Sequence, residues 1–280
     1  HNEGLSVEIV IIKTRGDRDQ NSALNKFAGK GIFTKEIEDA LLAGEIDLAV
    51  HSLKDLPTTL PPGLELADPP KREDPRDLLV SNVPVTELPE GARIGTSSPR
   101  RQALLRCVCP QVVPVPIRGN VETRIRKAFG EECEGAILAA AGIERLGMTE
   151  HVAEYLSAQQ FVPPPGQGAL AVEVRADDDR MQDMLAPIDH IDTRLAVTAE
   201  RAFLEKLGGG CQLPVGAYAR CEGELMMMTV FICSPTGEKA FRAKLEGLTL
   251  DPLQMASDAY LAVVERGGGP LLEVEWSELN

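Results

Sequence analysis

Strand and helix patterns alternate through the first two-thirds of this chain, and this alternation restricts the fold more than any other feature. A short strand predicted at 93–95 leads into a helix to residue 106, and a strand at 112–117 leads into a helix to residue 129. Repeated units of this kind predict parallel sheets with helices on both faces. From residue 191 the pattern becomes a long helix, three strands and a last helix, which predicts a smaller α+β unit.

Three elements are predicted before residue 51. Residues 7–13 form an apolar run that predicts a strand, and residues 46–50 predict a strand buried in a sheet. Between them, residues 33–44 have the spacing of a helix, which Thr34 can cap and Gly44 can end.

Two segments rich in proline divide the predicted units. Residues 68–76 and 161–168 each lie between predicted strands, and two such crossings between two α/β halves predict a hinged pair with a cleft. The predicted domains are residues 1–70 with 169–187, residues 74–163, and residues 191–280.

Charge and composition restrict the partners. The 280 residues carry a net charge of −14, which repels nucleic acid and anionic membranes, so we expect neither as a partner. No apolar run approaches the roughly 20 residues of a membrane-spanning helix. The six cysteines are scattered and the four histidines lack metal-ligand spacing, so we expect reduced thiols and no metal.

Residues 51–57 (HSLKDLP) follow the predicted strand at 46–50 and place a cation beside a carboxylate. Ligands of open α/β sheets bind beyond the carboxyl ends of the strands, which is where Lys54 and Asp55 stand. The alternative is a solvated ion pair that only closes a loop. A lone aspartate in a cationic cleft could stabilise a developing positive charge or accept a hydrogen bond from a substrate N–H.

Cations and hydroxyl groups recur at the other turns between strands and helices. Any one of these arginines alone is best explained as a surface cation, but together, in an acidic chain, they predict a cleft for a polyanion. Phosphate-binding glycine motifs are absent, so carboxylates are favoured over a nucleotide. The residues are Thr96, Ser97, Ser98, Arg100, Arg101, Arg118, Arg124 and Arg145.

Cys211 follows three glycines at the end of the long helix. One glycine suffices to end a helix, so three of them suggest a thiol presented on a mobile tether. The alternative is a structural thiol beside a helix end.

These segments together resemble the porphobilinogen deaminase (hydroxymethylbilane synthase) family, end to end. The resemblance implies an α/β fold of two doubly wound domains, similar to periplasmic binding proteins, with a central cleft and a small C-terminal α+β domain. The matching motifs are TRGD at 14–17, GKGIFTKE at 29–36, HSLKDLP at 51–57, REDPRD at 72–77, GTSSPRR at 95–101, RGN at 118–120, GQGA at 166–169 and GGGC at 208–211.

The family resemblance also implies a reaction and the residues that carry it. Four porphobilinogen molecules are joined head to tail into hydroxymethylbilane, with release of ammonia, in tetrapyrrole biosynthesis. A dipyrromethane cofactor, bound to Cys211 through a thioether, primes the chain, and Asp55 is catalytic. The implied cofactor ligands are Lys54, Asp55, Thr96, Ser98, Arg100, Arg101 and Arg124; the implied substrate ligands are Ser52, Arg118, Arg124, Arg145 and Gln167; Lys26 and Lys30 lie on a loop over the cleft.

Two alternatives stay open at this point. The chain begins after a strand and a Gly-Thr-Arg-x-Ser-x-Leu-Ala segment that the family places first, so it can be a truncated paralogue with impaired catalysis. A two-lobed protein that binds an anionic solute would also explain the cleft and its arginines, but not the third domain. The expected form is a cytoplasmic monomer, or a protein of the plastid stroma if a transit peptide was removed.

Overall fold

A computed structural model describes residues 6–14, 34–208, 214–234 and 237–272. The described residues form three sheets, each with its own helices. The strands are β1 (Ala49–Ser52), β2 (Leu64–Ala67), β3 (Asp77–Ser81), β4 (Arg93–Gly95), β5 (Val113–Val115), β6 (Gly135–Ala139), β7 (Val152–Tyr155), β8 (Leu170–Arg175), β9 (Val215–Glu222), β10 (Leu225–Cys233) and β11 (Ala240–Leu248). The helices are α1 (Lys35–Leu42), α2 (Pro99–Val108), α3 (Val121–Ala128), α4 (Ala140–Arg145), α5 (Asp179–Leu185), α6 (Ile191–Lys206), α7 (Pro252–Val263) and α8 (Gly269–Leu272).

The first sheet has the order β1–β8–β2, and β8 is antiparallel to both neighbours. The expectation of a parallel sheet is therefore wrong for these strands, because the central strand returns from the second unit in the opposite direction. The strand predicted at 46–50 begins three residues later, at Ala49, and Val50 is 57% exposed. Its carboxyl end still leads directly into a 3₁₀ turn, Leu53–Asp55.

The strand predicted at 7–13 does not form within the described residues 6–14. Val7 and Ile9 are 84% and 85% exposed. An apolar run becomes a strand only where a neighbouring strand pairs with it, and none of the three sheets among the described residues includes residues 6–14.

Helix α1 is shorter than predicted. Thr34 occupies its N-cap position, but the hydroxyl makes no cap hydrogen bond and is buried without a partner. Gly44 has a φ of +72°, a conformation that favours glycine and ends the helix as predicted.

The second sheet has the order β5–β4–β6–β3–β7 and is mixed. Strand β4 is parallel to β5 and β6, whereas β3 is antiparallel to β6 and β7. Leu78 and Val80 pack in one core with α3, and Leu79 packs in another with α2. Cores on both faces confirm the expectation of helices on both faces, while the parallel pairing holds for only part of the sheet.

The third unit confirms the predicted α+β pattern. Strands β9, β10 and β11 pair antiparallel, and α6 and α7 cover one face with a core that includes Phe203 and Met226. Phe231 and Cys233 point to the other face and share a core with the second unit. Helix α7 is followed by a π-helical turn, Val264–Gly268, in which Gly267 has a φ of +102°.

The chain passes from the first sheet to the second through residues 68–76 and returns through residues 161–168. Helix α6 lies against both crossings. In the part of the chain that the structure describes, no helix is long and apolar enough to cross a membrane.

Candidate active site

The Lys54–Asp55 pair lies in the 3₁₀ turn that follows β1. Leu53 is buried and anchors the turn, while Asp55 is exposed. Lys54 Nζ donates a hydrogen bond to Gln167 Oε1 at 3.1 Å. The turn therefore fixes one side chain inward, ties the second to the crossing and presents the carboxylate outward.

Gln167 joins the two α/β units at this point. Its side chain is buried, and Nε2 donates to Pro75 O at 2.8 Å and to Asp77 Oδ1 at 2.9 Å. Since Oε1 accepts from Lys54, the amide links a cation of the first unit to a carboxylate of the second. The predicted contact of Gln167 with substrate stays a prediction. In this structure the hydrogen bonds of the amide all go to groups of the protein itself.

Asp77, the first residue of β3, is the centre of a buried cluster that sequence reasoning missed. Its carboxylate accepts from Arg100 at 2.7 Å and from Arg101 at 2.6 Å. Burial raises the pKa of Asp77, but the two guanidinium charges outweigh it and hold that pKa far below its usual value. A charged residue at the head of the apolar run DLLV was the signal that could have revealed it.

Arg100 and Arg101 stand at the start of α2, where Ser98 is the N-cap residue and its hydroxyl accepts from Arg101 N. Their side chains are 5% and 9% exposed. The remaining guanidinium hydrogen bonds go to Val162 O at 2.7 Å and Ile137 O at 2.9 Å. The sequence predicted that both arginines bind a ligand. In the structure both are buried and their guanidinium groups bond to groups of the protein, so they also support the wall of the cleft.

Lys54 and Arg124 lie within the field of this cluster. Burial, and then the charge of Arg101, lowers the pKa of Lys54 to about 8, against the opposing effect of Asp55 and Asp77. Burial and then Arg101 also lower the pKa of Arg124, and Asp55 opposes this effect. The structure thus brings together residues from four separate turns of the chain.

The charges of this cluster do not cancel. Lys54, Arg100, Arg101 and Arg124 face the carboxylates of Asp55 and Asp77, which leaves a local positive excess. Within a chain of net charge −14, such an excess fits a ligand that carries carboxylates.

Ser52 and Arg145 lie close to Lys54 on the wall of a cavity of about 60 Å³ between the first two units. Gly166 and Gly168 of the second crossing also line it. Arg145 is exposed at the end of α4. The cavity therefore joins predicted ligand residues of both units.

The other predicted residues divide into three groups. Thr96 is buried, and its hydroxyl accepts from Ser98 N within the turn before α2. Arg118 is exposed at the turn after β5. Lys26, Lys30 and Cys211 lie outside the described residues.

The fold and the site define a class of protein: two α/β units joined by two crossings, with a cationic cleft between them, and a third α+β unit against the crossings. The family model described as "Porphobilinogen deaminase, dipyromethane cofactor binding domain" matches residues 1–183, and the model of the family's C-terminal domain matches residues 194–260. The chain belongs to the porphobilinogen deaminase family, and its first two-thirds are the domain that binds the dipyrromethane cofactor.

Curated relatives agree with the family models. A porphobilinogen deaminase of Trichlorobacter lovleyi is 47% identical over 271 residues, covering 96% of this chain and 87% of the relative. One of Geobacter metallireducens is 49% identical over 245 residues, covering 87% of this chain and 77% of the relative. An ancestral cationic amino acid solute binding protein overlaps with a TM-score of 0.37 at 12% identity, over 62% of this chain and 70% of that one, which is too low to carry an argument.

Proposed function

We propose that this chain is a transferase that joins four porphobilinogen molecules head to tail into hydroxymethylbilane, releasing ammonia at each addition. The observation that carries the proposal is the positive excess around the exposed carboxylate of Asp55. Family membership and the names of the curated relatives support the same reaction. A solute-binding protein is not favoured, because both family models match across the three units.

The residues of the cleft fit a pyrrole that bears acetate and propionate groups. Arg124 and Arg145 flank the Lys54–Asp55 turn from the second unit, and each guanidinium can bind a carboxylate through two hydrogen bonds. The cofactor, when bound, supplies the terminal pyrrole to which the first substrate is joined. We assign its carboxylates to Lys54, Thr96, Ser98, Arg100, Arg101 and Arg124, and those of the substrate to Ser52, Arg118, Arg124, Arg145 and Gln167.

Asp55 supplies the negative charge of the site. As ammonia leaves the substrate, positive charge develops on the pyrrole, and a carboxylate held beside it stabilises that charge without reorganisation. The same oxygens can accept a hydrogen bond from the pyrrole N–H. Asp55 is suited to this role because its turn is anchored by Leu53 and leaves its own side chain exposed.

The third unit carries the attachment point in this proposal. Helix α6 ends at Lys206 and leads toward Cys211, whose thiol forms the thioether to the cofactor. We assign the domains to residues 1–70 with 169–187, residues 74–163 and residues 191–280, and we assign Lys26 and Lys30 to a loop over the cleft. We propose a cytoplasmic monomer whose partners are porphobilinogen and the growing pyrrole chain.

The substitution Asp55→Asn tests the proposal. The variant should fold and carry its cofactor, but turnover should fall by about 100-fold or more, because a neutral amide cannot stabilise the developing charge. Ammonia release and intact mass are the measurements. Asp258→Asn, an exposed aspartate on α7, is the control and should keep normal turnover. Near-normal turnover in Asp55→Asn would exclude the proposed role.

The attachment is tested separately by intact mass. The wild-type chain should carry the added mass of two linked pyrroles, and Cys211→Ser should carry none. Cys107→Ser removes an exposed thiol of the second unit and should keep the added mass. Pyrrole found on Cys211→Ser through another cysteine would contradict the assignment.

A further inference from the structure

We infer that Arg201 is a positioning residue that holds the Lys54–Asp55 turn in place relative to the helix that leads to Cys211. This inference rests on the proposed function. Arg201 belongs to α6 of the third unit, but its guanidinium reaches the backbone of the first unit. The contact lies directly beyond the turn that presents Asp55.

Arg201 binds backbone rather than a side chain. Its Nη2 donates to Pro57 O at 2.8 Å and to Thr58 O at 3.3 Å, and its Nη1 donates to Leu56 O at 3.4 Å. Three consecutive carbonyls are thus gathered on one planar group. Burial lowers the pKa of Arg201, against the opposing charge of Glu205, and the guanidinium stays charged at any working pH.

Apolar packing holds the same turn against α6. Leu53 and Leu56, on either side of the Lys54–Asp55 pair, share a buried cluster with Val197 of α6. Val197 and Arg201 are four residues apart, so they lie on one face of the helix. Gly166 also lies against Leu53, since a Cβ added there would be 2.9 Å from Leu53 Cγ. The turn is therefore held by α6 through both a polar and an apolar contact.

The position of the contact gives it a role in the reaction. Helix α6 holds the Asp55 turn through Arg201 and, five residues on, ends at Lys206 before the chain runs to Cys211. The helix thus fixes the turn that presents Asp55 against the third unit, whose sequence carries the proposed attachment point. The arginines of the second unit that bind substrate carboxylates do not depend on this contact. Loss of Arg201 should lower kcat while KM changes little.

The size of the effect follows from the geometry of catalysis. A displacement of about 1 Å at a reacting group can cost about 100-fold in rate. We expect kcat of Arg201→Met to fall by about 10-fold or more, with KM within about 2-fold of wild type. Arg201→Lys keeps the charge but cannot span three carbonyls, so its kcat should lie between those of wild type and Arg201→Met.

The test compares kcat, KM and intact mass of the cofactor-loaded protein for wild type, both Arg201 variants and Arg194→Met. Arg194 lies two turns earlier on α6 and pairs with Asp68 and Asp189 at the surface, so its loss should leave kcat unchanged. A normal kcat in Arg201→Met, or an equal loss in Arg194→Met, would overturn the inference. So would a rise in KM that accounts for the whole loss in kcat/KM.

A variant that does not fold and a wild-type chain without activity have different consequences for the inference. If Arg201→Met does not fold, Arg201→Lys decides, and a wild-type kcat in that variant overturns the inference. If the wild-type chain itself neither carries the cofactor mass nor releases ammonia, the proposed function fails before Arg201 is tested. An active wild type with unaffected Arg201 variants removes only the inference about positioning.

Discussion

The cleft has an inner part, around Asp77, and an outer part, around Asp55. Both parts carry arginines and an aspartate, but these are buried in the inner part and exposed in the outer part. In the inner part, Arg100 and Arg101 are buried and both bind the carboxylate of Asp77. In the outer part, Arg145 is exposed, and so is Asp55. The inner arginines share one carboxylate of the protein and keep a positive excess, whereas the outer charges are exposed to a ligand.

This difference separates support from recognition. Buried charges need partners, because desolvation costs several kcal/mol per ion. The inner arginines therefore act through Asp77 and Gln167, which fix the junction of the two units and leave a positive field for Lys54 and Arg124. Changes in the inner part should affect folding as well as cofactor binding, whereas changes in the outer part should affect binding alone.

The largest effect is expected from Asp77→Asn. Removing the charge leaves two buried guanidinium groups without their counter-ion, which should lower the free energy of unfolding by about 3–5 kcal/mol. Denaturant unfolding measures this. The control is Asp39→Asn, which removes an exposed ion pair with Lys35 and should cost under about 0.5 kcal/mol. Equal losses in the two variants would erase the distinction between inner and outer charges.

The contribution of Asp77 should also make the free energy of unfolding depend on pH in the acid range. Because the pKa of Asp77 is lower in the folded protein than in the unfolded chain, its stabilisation is present above about pH 4 and is lost as the pH falls further. Wild type should lose stability over that range more steeply than Asp77→Asn.

A smaller effect, on binding alone, is expected from Arg145→Ala. Loss of one charge-assisted contact with a substrate carboxylate should raise KM by about 10-fold and leave the free energy of unfolding within about 0.5 kcal/mol of wild type. Steady-state ammonia release and denaturant unfolding give the two numbers. Arg180→Ala, at an exposed position on α5, is the matched control. A loss of stability without a change in KM would show that Arg145 supports the fold and does not bind substrate.

The smallest effect concerns Lys54, which lies between the two parts. With a pKa of about 8 before any ligand binds, it loses its charge as the pH rises above about 8, while Arg124 keeps its own. Loading of cofactor-free protein by porphobilinogen should slow severalfold between about pH 7 and pH 9. Lys54→Arg should flatten this dependence, as followed by intact mass. Parallel profiles for the two proteins would show that Lys54 does not carry it.

Local patterns in the sequence predicted much of this structure. Strand β4 and the helices α2 and α3 were readable because each predicted strand of the second unit leads directly into a helical pattern. The strand predicted at 7–13 was wrong, because an apolar pattern does not specify a partner strand. The direction of β8 was missed for the same reason, since pairing depends on where the chain returns.

The sequence by itself determined the family, the two crossings and the positions at which charges stand beyond strands, since these depend on residues close together in the chain. Only the tertiary structure decided which of those charges are buried. Arg101 and Arg145 both follow strands of the second sheet, yet Arg101 is buried against Asp77, whereas Arg145 is exposed. Burial and pairing join residues far apart in sequence, and they set the energy of each charge through the distance to its counter-ion and the exclusion of water.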